Sequence, residues 1–181
     1  MLFTKIWIYR GESVKKTIGL ILYLVLLTGL CFASDPCEGY WISYDEKTGK
    51  ATAGWEISVQ DGILSGKITS LADHQQDSLA DGAKGKHYDN FSFTGDLGTL
   101  MTVGTSWIWG LSKKSEGEWE KGYIIDPADG SRYKCKMKFH KAGESKKYQV
   151  DTLEMRGEIG LGIGRSQYWK KATKEEASGL R

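Results

Sequence analysis

The sequence predicts an all-β protein, an eight-stranded antiparallel up-and-down barrel. Three observations carry that prediction. Apolar and polar residues alternate with period two through successive segments of the chain. Short turn signals rich in Gly and Asp separate those segments, so neighbours join as hairpins. Only one short helix can be argued anywhere, at the C-terminal end. An open eight-stranded meander would leave two bare edges, and closure removes them. Eight strands make a barrel just wide enough to be filled by side chains or to hold one small ligand.

The first 33 residues are expected to be removed. Lys15 and Lys16 precede 18–33, a charge-free, Leu-rich run that ends at Ala33. Basic residues, an apolar core of that length and a small residue at its end describe a secretory signal peptide over 1–33, cut before Ser34. A single barrel domain is then expected over 34–172, with a polar tail over 173–181. The expected location is the periplasm or the outside of the cell, with no stable membrane span after cleavage. The leader holds four of the 25 Lys and Arg and one of the 23 Asp and Glu, which leaves 21 against 22. So even a balance argues against nucleic acid, which selects a basic stripe.

The first strand is read at 39–45, GYWISYD, ended by Glu46-Lys47-Thr48-Gly49-Lys50. The second, 51–60, alternates Ala53, Trp55, Ile57 and Val59 against Gly54, Glu56, Ser58 and Gln60. Asp61-Gly62, a strong hairpin dipeptide, leads into a third strand at 63–72. The stretch 73–98 is polar and Gly-rich and lacks sustained period. It reads as a long loop, either a lid or binding loop or a surface insertion. Alternation returns at 100–111, with Met101, Val103, Thr105, Trp107, Trp109 and Leu111 on one face. In the next strand Trp119, Tyr123 and Ile125 are expected on the inner face. Asp126-Pro127-Ala128-Asp129-Gly130 breaks that run with turn chemistry. Tyr133, Cys135, Met137 and Phe139 then share a face opposite Arg132, Lys134, Lys136 and Lys138. A seventh strand is expected at 148–159 and an eighth at 165–171, where Arg165, Gln167, Trp169 and Lys171 share a side. The tail, 173–181, is expected to fray or form a short helix.

Four signatures carry a resemblance: Gly39-Tyr40-Trp41, Trp109-Gly110-Leu111, Asp126-Pro127-x-x-Gly130-x-x-Tyr133 and Gly164-Arg165-x-x-x-Trp169. Over 36–171 the chain resembles the exported bacterial domain-of-unknown-function family 2147. The resemblance implies an exported, lipocalin-like barrel of the bacterial envelope and no particular activity. Paired cysteines found after the third strand in many members are absent here, so no thiol or metal role is carried over. G-x-W also opens lipocalins, where a cation from the last strand stacks on the Trp. Strand counting makes Lys171 the cation for Trp41.

The same count gathers 46–50, 73–98, 126–130 and 160–164 at the open end. Trp55, Trp107, Trp109, Tyr123, Met137 and Phe139 are the expected inward residues. They either line a pocket for a small apolar or amphipathic ligand or fill the barrel solid as its core. Asp126 and Asp129 stand at the rim, where turn formation alone accounts for both; Gly130, Tyr133, Trp41 and Lys171 are read as structural. Cys37 and Cys135 remain after cleavage, either bridged or as free thiols, with strand counting against the bridge. His74, His87 and His140 lack metal-ligand spacing, and no catalytic motif or dinucleotide fingerprint is present. The expected function is therefore non-enzymatic, without metal or cofactor: a ligand-binding barrel, or else a structural or protein-interaction module.

Overall fold

The computed structural model describes residues 34–181; the expected signal peptide lies outside the described residues. The strands are β1 (Gly39–Tyr44), β2 (Ala51–Gln60), β3 (Ile63–Leu71), β4 (Ile108–Ser115), β5 (Glu118–Ile125), β6 (Arg132–His140), β7 (Thr152–Gly160) and β8 (Ile163–Ala172). Each pairs antiparallel with its neighbour in sequence, and β1 pairs with β8 to close the barrel. At that seam Trp41 stands opposite Lys171. Among the described residues no helix is long and apolar enough to cross a membrane.

Turn chemistry sets the register at both ends. Asp61 and Gly62 both take positive φ, 51° and 75°, which matches the right-handed twist of the strands they join. At the β5–β6 turn Asp126 Oδ1 accepts from Ala128 N, Asp129 Oδ1 accepts from Ser131 N, and Gly130 takes φ 70°.

Two local breaks in the alternation decide which side chains reach the interior. Lys121 has φ 66° and forms a bulge, because the four residues from Trp119 to Gly122 stand opposite only the three from Met137 to Cys135. Past it the phase flips: Gly122 and Ile124 face in, Tyr123 and Ile125 out. In β4, Gly110 at φ 73° does the same. Ile108 and Leu111 are both buried in the interior, the former over Gly66 and Ile57. Trp107 and Trp109 therefore stand on the outer wall.

The interior is packed with large side chains. Trp41, Ile57, Leu64, Leu111, Met137, Leu153 and Trp169 are fully buried. Trp55 and Trp169 stack across the lumen with centroids 4.7 Å apart and planes at 17°. Their indole N–H groups donate to Ser43 Oγ at 3.2 Å and Gln167 Oε1 at 3.1 Å. Among the described residues no buried side-chain nitrogen or oxygen lacks a partner.

The fourth strand begins eight residues later than the alternation suggests. Residues 72–107 form one ordered connection with two short 3-10 turns, Asp81–Ala83 and Leu97–Thr99. Its apolar residues Ala80, Ala83, Phe91 and Leu97 are buried with Trp107 and Ile125, which makes a second layer outside the barrel wall. The C-terminal tail is no fraying end. Helix α1 (Lys174–Ser178) opens with a capping box between Thr173 and Glu176. Its Ala177 carbonyl accepts from Thr69 Oγ1 at 2.6 Å and Ser70 Oγ at 2.7 Å.

Candidate functional site at the two barrel ends

The closed end is built around Asp35. Its Oδ1 accepts from Cys37 N at 3.0 Å and Trp119 Nε1 at 3.0 Å. Its Oδ2 accepts from Gly117 N at 3.4 Å and pairs with Lys113 Nζ at 3.0 Å. Burial pushes this carboxyl up, but the bonds from Trp119, Cys37, Lys113 and Gly117 outweigh it and hold it below its ordinary value. Beside it, Trp41 Nε1 donates to the Cys37 carbonyl at 2.9 Å. Lys171 Nζ lies 4.3 Å from the Trp41 ring centroid and donates to the Glu38 carbonyl at 2.6 Å. Gly39 makes room for it. At φ 113° its backbone suits glycine, and a Cβ there would stand 2.8 Å from Lys171 Nζ. Cys37 and Cys135 are both buried free thiols, and burial raises both above the ordinary thiol range.

Trp55, Met137 and Phe139 face the interior. Met137 is fully buried, and Phe139 meets Trp41 edge-on at 6.2 Å. Trp107, Trp109 and Tyr123 do not, which corrects the inward placement expected for them. They stand on the outer wall because the Lys121 bulge and the Gly110 kink shift their phase. Trp109 stacks on Tyr123 at 5.5 Å and meets Phe91 edge-on at 4.7 Å, and its Nε1 donates to the Asn90 carbonyl at 2.7 Å. Arg132 lies over both Tyr88 and Tyr123, at 4.5 and 4.9 Å, and donates to Asn90 Oδ1 at 2.8 Å. The sequence did carry a signal for the flip: strict alternation would place charged Lys121 among Trp119 and Tyr123 on the core face.

At the open end the long connection is fastened to the β5–β6 turn. Tyr88 Oη donates to the Gly130 carbonyl at 2.7 Å, and Gly82 lies so close to the Ala128 carbonyl that a Cβ would stand 1.7 Å from it. Asp126 and Asp129 are spent on turn bonds. Tyr133 faces inward beside Ile124 and Gly157 and remains half-buried. Arg165 reaches across the rim to Glu46 Oε2 at 2.8 Å. A hollow of about 360 Å³ lies in the outer wall at the Lys121 bulge, lined by Lys134, Lys136 and Glu158 among others. Among the described residues, no three His, Cys, Asp or Glu side chains converge as a metal-holding group.

One polar cluster escaped sequence reading. His140, nearly buried, has Nε2 at 3.0 Å from Glu154 Oε2 and Nδ1 at 3.3 Å from Glu144 Oε1. Tyr148 stacks on the ring at 3.9 Å, and Ser166 Oγ donates to Glu154 Oε1 at 2.6 Å. The cluster joins β6, β7, β8 and the 141–151 loop, a contact that local sequence spacing does not reveal.

A closed, eight-stranded up-and-down barrel whose first-strand Trp lies under a last-strand Lys is a lipocalin-like architecture. The chain belongs to the family described as an uncharacterized protein conserved in bacteria (DUF2147), which matches residues 39–171. In structure it is similar to protein HP1028 from the human pathogen Helicobacter pylori, described as belonging to the lipocalin family. That likeness has a TM-score of 0.60 at 16% identity and covers 79% of this chain and 87% of the other. At that identity it speaks for the fold. No curated protein matches the chain.

Proposed function

We propose that this protein is an exported, non-enzymatic barrel of the bacterial envelope that binds through its outer surface at the open end. The observation that carries the reading is the group of large aromatic and aliphatic side chains packed inside the barrel. The Trp55–Trp169 stack crosses the lumen, and Trp41, Met137, Leu153 and Leu111 are buried there with it. A barrel of eight strands has room for side chains or for one small ligand, and so many large buried side chains favour the first. The leader-like 1–33 segment supports export, and a rim fastened by Tyr88, Arg132 and Gly130 supplies a rigid platform for a partner.

A second reading, a small apolar or amphipathic ligand held at the mouth, is favoured by Tyr133, which faces inward yet remains only half-buried. Native mass spectrometry of protein purified from its own envelope, repeated after denaturation, separates the two. The outer-surface reading expects equal masses. A stoichiometric small molecule released upon denaturation overturns it and establishes the mouth ligand.

A further inference from the structure

The β7–β8 hairpin carries the three most exposed large apolar side chains among the described residues. Ile159 is 72%, Leu161 104% and Ile163 62% exposed. Other exposed large apolar residues, Ile63, Leu79, Met101 and Val150, are each below half and scattered, as on any soluble surface. Here the three sit within five residues on one projecting tip.

Backbone geometry makes Leu161 the less expected residue. Leu161 and Gly162 take φ 47° and 76°, nearly the values of Asp61 and Gly62 in the two-residue turn at the other end. That conformation favours Asn, Asp or Gly at the first position and strains a branched apolar side chain. One turn of this geometry carries the residue that suits it, the other a fully exposed leucine. Turn formation does not account for Leu161.

Below the tip the outer wall is cationic. Arg156 Nη2 donates to the Gly162 carbonyl at 2.9 Å. Lys136 and Arg156 both pair with Glu158 Oε1, at 3.0 and 2.9 Å, and Lys134 stands opposite Glu158 in the ladder. On the outer wall Lys134, Lys136 and Arg156 thus face the single carboxylate of Glu158, and the Glu120 and Lys121 that line the same hollow offset each other, which leaves net positive charge behind the apolar tip.

We propose that this hairpin docks the barrel on an anionic lipid surface, with Ile159, Leu161 and Ile163 entering the acyl boundary and Lys134, Lys136 and Arg156 meeting the headgroups. A convex knob of three side chains is too small for a stable protein interface, which needs roughly 1,000 Å². It suits a bilayer, where apolar insertion and a basic patch act together. The inference rests on the outer-surface reading above and names its partner.

The test is co-sedimentation of the envelope-purified protein with phosphatidylcholine vesicles, with and without phosphatidylglycerol, beside light scattering of the protein alone. Leu161→Asn is the variant, because Asn suits the turn and should hold or raise the melting temperature. Expected is binding to the anionic vesicles, weaker binding to neutral ones, and a loss on the order of tenfold in L161N. Absence of vesicle binding, equal binding to both vesicles, or full binding by L161N overturns the proposal. So does a dimer that L161N dissociates, which assigns the tip to a second copy of the chain. A ligand released in the mass experiment would overturn the outer-surface reading itself, whereas vesicle failure with equal masses removes only the lipid partner.

Discussion

Lys171 Nζ stands over the Trp41 ring at 4.3 Å, at the seam where the last strand closes on the first. The pair links the two ends of the barrel domain, and Gly39 leaves the space for it. Lys171→Met should lower stability by about 1 kcal/mol, from the lost cation–π contact and the lost bond to the Glu38 carbonyl. Gly39→Ala should cost more, because it adds a strained φ to a clash with the ammonium. Urea denaturation midpoints of the two variants check the order.

Asp35 holds the N-terminal segment across the closed end by four donors. Asp35→Ala leaves Trp119 Nε1 and two backbone N–H groups without their acceptor and should cost roughly 2–4 kcal/mol. Because the folded carboxyl is held below its unfolded value, its contribution is full above about pH 4 and is lost as pH falls through the lowered value. The acid limb of the stability–pH curve should therefore be shallower in Asp35→Asn than in the unchanged protein. Urea midpoints between pH 2 and 7 measure it.

Helix α1 docks because position 54 lacks a side chain: a Cβ there would lie 1.7 Å from the Ala177 carbonyl. Gly54→Ala should release the helix while the barrel persists, at a cost of about 1–3 kcal/mol. Limited proteolysis should then remove residues after Ala172 from the variant first.

The long connection is fastened in the same way at Gly82. Gly82→Ala should lift 81–99 from the β5–β6 turn and expose Trp107 and Phe91. Hydrogen exchange faster over 81–99 but unchanged over β7 and β8 is the expected result. Uniformly faster exchange would show that the layer is part of the barrel's cooperative core.

Both described thiols are buried and raised above the ordinary range, so neither should react with a thiol reagent in the folded protein at pH 8. Two Cys should label upon denaturation of the cleaved chain, and reduction should leave its mass unchanged. A gain of two daltons would show a Cys37–Cys135 bridge.

The all-β class, the eight strands and the turns were legible in the sequence because period two and turn residues are local properties. β6 shows the case at its plainest: Cys135 and Met137 point in, Lys134, Lys136 and Lys138 point out, and nothing interrupts the phase. The candidate site was legible only in part. Trp55, Met137 and Phe139 lie on strands whose phase holds where they sit. Trp107, Trp109 and Tyr123 lie beside Gly110 or Lys121, each of which shifts the alternation by one residue and turns the aromatic face to the outside. Lys121, a charge in phase with core residues, was the readable warning.

By itself, then, the sequence determined the class of fold and the order of its strands, which follow from alternation and strand count, and the meeting of Trp41 with Lys171, which the resemblance to lipocalins implies and strand count assigns. Tertiary structure decided what fills the barrel, what covers its outer wall and which residues gather around His140. The physical reason is range. Alternation is set by neighbours in the chain, whereas a bulge, a docked loop and a stacked indole pair are chosen by contacts between residues far apart in it.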